Sequence, residues 1–229
     1  MEKAEKEVKT KKKLSKKEKL ERSVSWIIGI ILISILIVVA IFFIRQKYFG
    51  PTFEYKDYKV TRVMPEGTTA IMYVLRVPIR IYGSTDIYYI YLRNDPRELQ
   101  DIPVDENTRK TIIDPKPSQV YLTFDPEMGE GGKISLATMQ LARILGTSGV
   151  FRLNVNGAVT KDIGGLEDKK ITCEDSSSLN EIVVIEFEYG EETKISVDKN
   201  YWRCIKIQAK NGDELIKAAD KAILTLLGI

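Results

Sequence analysis

From Val24 to Ile44 the chain runs for 21 residues, VSWIIGIILISILIVVAIFFI, without one charge. A helix of that length measures roughly 31 Å at about 1.5 Å per residue, close to a hydrocarbon core of about 30 Å. A helix that is apolar all round has no face for water. In lipid, only a helix pairs every backbone group within its own segment. The run is therefore expected to be a transmembrane helix over 24–44. A secretory signal peptide has a shorter apolar stretch of about 7–15 residues and ends in small residues. This run ends in Phe42-Phe43-Ile44-Arg45, so it reads as an uncleaved signal anchor. Trp26 at one end and Arg45, Lys47 and Tyr48 at the other are the expected membrane-interface residues.

The flanks set an orientation. Residues 1–22 carry ten Lys/Arg and five Glu, against only Arg45 and Lys47 beside the other end. Cytoplasmic flanks collect Lys and Arg, so the N-terminus is expected in the cytoplasm and residues 48–229 outside, in the manner of a cell-membrane protein. The tail 1–23 is too polar to bury a core. It sets topology, and anionic lipid headgroups are its candidate partner. Nucleic acid is not expected, because no aromatic residues interleave the lysines and no Arg cluster reads bases.

The outer region is long enough for a core and reads as α+β: mixed or antiparallel sheets with two main packed helices. Phe53–Val63 and Thr69–Val77 alternate or are β-branched. IYYIYL at Ile87–Leu92 is apolar on both faces and predicts an inner strand. Gln119–Phe124 and Val150–Val159 are further strands. Ile134–Leu145 has helical spacing, with a stripe at Leu136, Met139, Ala142 and Leu145, closed by Gly146. Glu181–Tyr189 and Lys194–Val197 flank Gly190 as an expected hairpin. Arg203–Gln208 is a strand, and Asp213–Leu227 is the strongest soluble helix, capped by Asn211 or Asp213. The expected division is 45–165 as a strand-rich α+β domain and 166–229 as a β-hairpin with a C-terminal helix.

The chain has two cysteines and no histidine. Imidazole bases, His-ligated zinc and Ser-His or Cys-His catalysis are thereby excluded. Cys173 and Cys204 both fall outside. They form either a disulfide, which that compartment permits, or a pair of buried thiols. Gly129–Ser135 sits between a strand and a helix like a phosphate loop. The fingerprint needs Gly at 127 and Ser or Thr at 134, where Glu127 and Ile134 stand. Ser196-Val197-Asp198-Lys199 matches S-x-x-K, but its partner motifs S-D-N and K-T-G do not occur. Loop carboxylates (Asp95, Glu98, Asp101, Asp105, Glu106 and Asp162, Glu167, Asp168, Glu174, Asp175) could hold Ca²⁺, but none has EF-hand spacing, so they read as solvated surface. Tyr82, Tyr88, Tyr89 and Tyr91 read as sheet packing or as a sugar-stacking platform. No catalytic, cofactor-binding or metal-ligating residue is expected from these patterns.

Four segments resemble uncharacterised single-pass membrane proteins of small-genome archaea. They are Asp95-Pro96-Arg97 after a strand, the Asp125-Pro126 turn before Ile134–Gly146, the Cys173…Cys204 pair, and the ending Glu214 to Ile229. The resemblance implies topology and compartment and attaches no activity. The functional expectation is a membrane-anchored, extracytoplasmic α+β binding or assembly module. Its partners would be the bilayer and an envelope protein or a second copy of the chain. The alternatives are a carboxylate-dependent envelope hydrolase, marked by paired carboxyls in a concave pocket with one pKa raised, and a solute- or ion-capture domain.

Overall fold

The computed structural model describes residues 26–42, 51–81, 84–162, 164, 170–177, 179 and 181–229. Two compact units divide the chain, Met1–Phe53 and Glu54–Ile229. In the first, helix α1 covers 26–42, and all its residues except Gly29 are exposed, Trp26 among them. At 17 residues α1 measures about 25 Å. No helix among the described residues is long and apolar enough to cross a membrane. The transmembrane helix expected over 24–44 is therefore not supported by α1 as described. Val24, Ser25, Phe43 and Ile44, which complete the uncharged run, lie outside the described residues, as do the basic tail 1–23, Arg45, Lys47 and Tyr48.

From Thr52 onward the chain is α+β and is built on two sheets. The first has the order β1 (Thr52–Tyr55), β2 (Tyr58–Val63), β3 (Met72–Ile81), β4 (Ser84–Leu92), with β3 antiparallel to β2 and β4. The expected single strand over 53–63 is two. Lys56 and Asp57 turn the chain with positive φ of 45° and 68°, the hand that fits a two-residue hairpin. A two-residue turn preserves the alternation, which hid it from the pattern. Val60 lies opposite Leu75 and Leu75 opposite Ile90, and all three are fully buried, so one row of side chains carries the core across three strands. The opposite face carries Val74 beside Tyr91 and Arg76 beside Tyr89.

The inner strand expected at Ile87–Leu92 is instead an edge. β4 pairs only with β3, and Ile87 and Tyr89 are exposed. Tyrosine on an edge strand has an apolar ring and a wet hydroxyl, so an apolar-looking run need not be covered on both sides.

The second sheet has the order β6-β5-β7-β9-β8, drawn from β5 (Gln119–Phe124), β6 (Asn154–Val159), β7 (Ile182–Tyr189), β8 (Lys194–Val197) and β9 (Cys204–Ala209). The pairs β5·β6, β5·β7 and β7·β9 are parallel, and β8 is antiparallel to β9. The expected hairpin around Gly190 does not form, because β9 inserts between β7 and β8. β7 is the strand buried on both faces, with Val183, Val184 and Ile185 inaccessible. Parallel pairing through a buried strand accounts for its unbroken apolar run. Strands from both sides of residue 165 share this sheet, so the expected boundary at 165/166 falls inside it.

Helix α2 (Thr108–Ile113) precedes β5; its TRKTII sequence is poor in helix formers and gave no periodic signal. Helix α3 (Gly131–Leu145) supplies the β5–β6 crossover, and helix α4 (Gly212–Leu227) follows β9 and packs against α3. The buried face of α3 is Ile134, Ala137, Gln140, Leu141, Ile144 and Leu145; Met139, placed in the expected core stripe, is 64% exposed. The segment carries apolar residues at two overlapping helical spacings, and the one that meets the sheet wins. Gly146 ends the helix by donating its N–H to the Ala142 carbonyl at 2.8 Å. Of the α4 face expected from Leu215, Ile216, Ala219, Ala222, Ile223 and Leu226, all but the half-buried Ile216 are buried, and Asn211 caps the helix by accepting from Glu214 N–H at 3.0 Å.

Candidate functional site

The glycine-rich loop brings a carboxylate, not a phosphate cradle. Glu130 opens α3 with φ 47° and turns its side chain to the start of α4, where Gly212 N–H donates to Oε2 at 2.7 Å. Tyr189 O–H donates to the same oxygen at 3.3 Å. A Cβ at Gly212 would run into this carboxylate, which gives the glycine its reason. An anion at a helix N-terminus is stabilising, and here the protein supplies its own. Ser196 lies in β8 opposite Lys206, whose ammonium pairs with Asp198 at 3.1 Å, so the S-x-x-K residues serve a strand end.

Several loop carboxylates are engaged locally. Asp95 is buried between Arg97 at 2.6 Å and Arg62 at 3.3 Å. Burial works against its ionisation, but hydrogen bonds from Arg97 and Arg62 outweigh it and hold the carboxyl below its usual range. Asp105 accepts from Asn107, Asp125 pairs with Lys161, and Asp175 closes a capping box with Thr172. Glu167 and Asp168 lie outside the described residues.

Cys173 and Cys204 form a disulfide, with Cα atoms 5.2 Å apart. It is buried with Val184, and Ile171, Ile182 and Tyr201 pack around it. Oε2 of half-buried Glu186 lies 3.1 Å from the Cys173 sulfur. A disulfide sulfur has no proton to give, so this contact is a hydrogen bond only when the carboxyl is protonated. Burial pushes the Glu186 pKa up, and Glu188 adds to it against the opposing pull of Lys206.

Among the described residues, three of the surface cavities are candidate binding sites. A groove of about 610 Å³ is lined by Trp202, Lys110, Asp114 and the turn carboxylates Asp105 and Asp198. The Arg203 guanidinium, buried and donating to the Pro115 carbonyl at 3.0 Å, stacks on the Trp202 ring at 4.5 Å. Asp198 already accepts from Asn200 and Tyr201 as well as Lys206. A cavity of about 540 Å³ includes Asp95, Glu98, Asp213 and Lys217. The third, about 480 Å³, lies between the Tyr89–Tyr91 face of β4 and α3.

This last cleft has the chemistry of an unfilled site. Gln140 lines it while only 8% exposed, and neither its amide oxygen nor its amide nitrogen has a protein partner. Arg93 lines it too, and its Nε is buried without a partner. Buried polar atoms are normally paired, so orphans that share one cavity call for an explanation. Arg143 stacks over Tyr91 at 4.7 Å and Arg76 over Tyr89 at 5.9 Å. Among the described residues lining the cleft none is acidic.

The structure brings together two of the tyrosines singled out in the sequence, Tyr89 and Tyr91. Tyr88 points to the opposite face by strand alternation, and Tyr82 lies outside the described residues. Gln140, Arg93 and Arg143 were not singled out. The available signal was a glutamine in register with Ile134, Ala137, Leu141 and Ile144, a polar residue where helical spacing requires an apolar one. Among the described residues the carboxyls with raised pKa are Glu186 and Asp220, and neither lines one of these three cavities. Comparison with known protein families, curated proteins and solved structures finds no match.

Proposed function

We propose that the chain is a single-pass, N-in membrane protein that displays its α+β unit outside the cell as a binding module, with the Gln140 cleft as its binding site. The uncharged run 24–44 between ten cations and two carries the topology. A disulfide in the unit suits an oxidising compartment and supports the same side. The orphaned polar atoms of the cleft support binding over catalysis, and so does the placement of both raised carboxyls away from the cavities. An envelope protein or a second copy of the chain is the partner, with anionic lipid held at the basic tail.

Protease added to intact cells should remove residues 54–229 and leave an N-terminal epitope protected until the membrane is permeabilised. Digestion of the epitope in intact cells, with the folded unit protected, would overturn the topology.

A further inference from the structure

We propose that the Gln140 cleft binds the carboxyl terminus of a polypeptide whose last side chain is apolar, an assignment that rests on the cleft being the binding site. Four features of the cleft define the ligand. The Gln140 carboxamide, buried in the cleft wall, holds a donor and an acceptor in one plane, and both are unmet in the free protein, so a ligand meets them once the side chain turns into the cleft. A peptide bond is the group that answers both, amide against amide. Arg93 Nε is a second unmet donor, and Arg143 brings a further guanidinium held over Tyr91. With no acid among the described lining residues, the cleft is cationic, and guanidinium favours planar carboxylate through paired N–H bonds. An amide next to a carboxylate is the chemistry of a chain end.

The walls supply the rest. Met72, Met139 and Tyr91 offer apolar surface beside the polar groups. Thioether side chains adapt to different shapes, so the cleft selects an apolar last residue without fixing which one. Its volume, about 480 Å³, falls in the range of small-ligand sites, about 300–1,000 Å³.

A buried amide with no partner destabilises the free protein, so replacing it should help folding and harm binding. The test uses the full chain in detergent micelles, titrated by calorimetry with N-acetyl-leucyl-leucine and with its C-terminal amide. The free acid should bind saturably, and the amide at least tenfold more weakly. Arg143→Gln should weaken the acid at least fivefold and leave the amide unchanged. Gln140→Leu should abolish binding of both while raising the unfolding temperature of the probe-free protein. Equal affinity for acid and amide, with Gln140→Leu still abolishing both, would overturn the carboxylate assignment and leave the cleft as the binding site. Absence of any binding that Gln140→Leu removes would overturn the ligand class and the cleft together.

Discussion

Between pH 4 and pH 7 the native protein should lose about 3 kcal/mol of stability relative to Asp220→Asn. Asp220 sits in α4 and is fully buried. Its Oδ2 accepts from Arg93 N–H, Asn94 N–H and the Asn94 side-chain amide, each at 2.9 Å, while Oδ1 has no partner. Burial pushes the carboxyl up from 3.8 to about 7, against the lowering effect of those donors. The sign is opposite to that of a salt-bridged aspartate. The unfolded chain releases this proton near pH 3.8 and the folded chain holds it to about pH 7. Across that window the folded state binds more protons, so rising pH favours unfolding, and the loss is complete above the folded value.

Asparagine keeps the acceptor and has no proton to release. The difference between the two proteins isolates Asp220 from other carboxyls, such as Asp95, whose lowered pKa acts in the opposite sense below pH 4. For a chain of this size the loss amounts to a fall in melting temperature on the order of 10 °C. Calorimetry from pH 4 to 8 on both proteins measures it, and parallel profiles would remove Asp220 as the cause. Asp220→Ala separates charge from bonding. It leaves three donors unmet and should cost about 3 kcal/mol or more even at pH 4. The bonds that would be lost fasten the end of β4 to α4.

Legibility in the sequence followed the range of the interaction. Strands whose neighbours impose a clear environment were readable: β5 and β8 fall where the pattern put them, and so does the α4 stripe. Pairing was not readable. β7 and β8 are joined by a short loop, and local rules made them a hairpin. The hydrogen-bonding partner of both is β9, which comes later in the chain and carries no local sign of its place. The face of α3 was misjudged for a related reason. Leu136 and Met139 are as apolar as Ile134 and Leu141, and only contact with the sheet decides which pair is covered.

The cleft was half legible. Tyr89 and Tyr91 stand out in IYYIYL, but a strand cannot announce that α3 will lie across its face. Gln140 and Asp220 share a signature that spacing alone could have raised, a polar residue on an apolar helical stripe. Asp220 stands three residues after Lys217, a spacing that reads equally as ordinary i,i+3 charge pairing on a solvated face. Burial of the group, which a one-dimensional pattern does not carry, separates the readings.

Removing the disulfide should have an effect as large as the pH transition. Cys173 and Cys204 are 31 residues apart, and closing that loop in the unfolded chain is worth about 3.7 kcal/mol in the chain-entropy model. The double variant Cys173→Ala/Cys204→Ala should therefore lose about 3–4 kcal/mol in urea unfolding, measured against the oxidised protein at one pH. The loss has a place in the fold. The segment from 160 to 181 joins the edge strand β6 to β7, with β5 between them, and the bonds of its described middle part, 170–177, include Ile171 N–H to the Val159 carbonyl, Thr123 hydroxyl to the Ile171 carbonyl, and the Ser177–Ile182 bridge. The disulfide ties this crossover to the first residue of β9, which lies opposite Val184 in the central strand. Hydrogen exchange at 170–177 should accelerate in the double variant well before exchange in β5, β7 and β9. Glu186 supplies an internal control. Glu186→Gln removes the titrating group beside the Cys173 sulfur and leaves the covalent link, so it should keep the oxidised protein within about 1 kcal/mol of the parent. A double variant that unfolds within about 1 kcal/mol of the oxidised protein would mean that the crossover is held by its backbone bonds, and that the loop-closure argument does not apply to this chain.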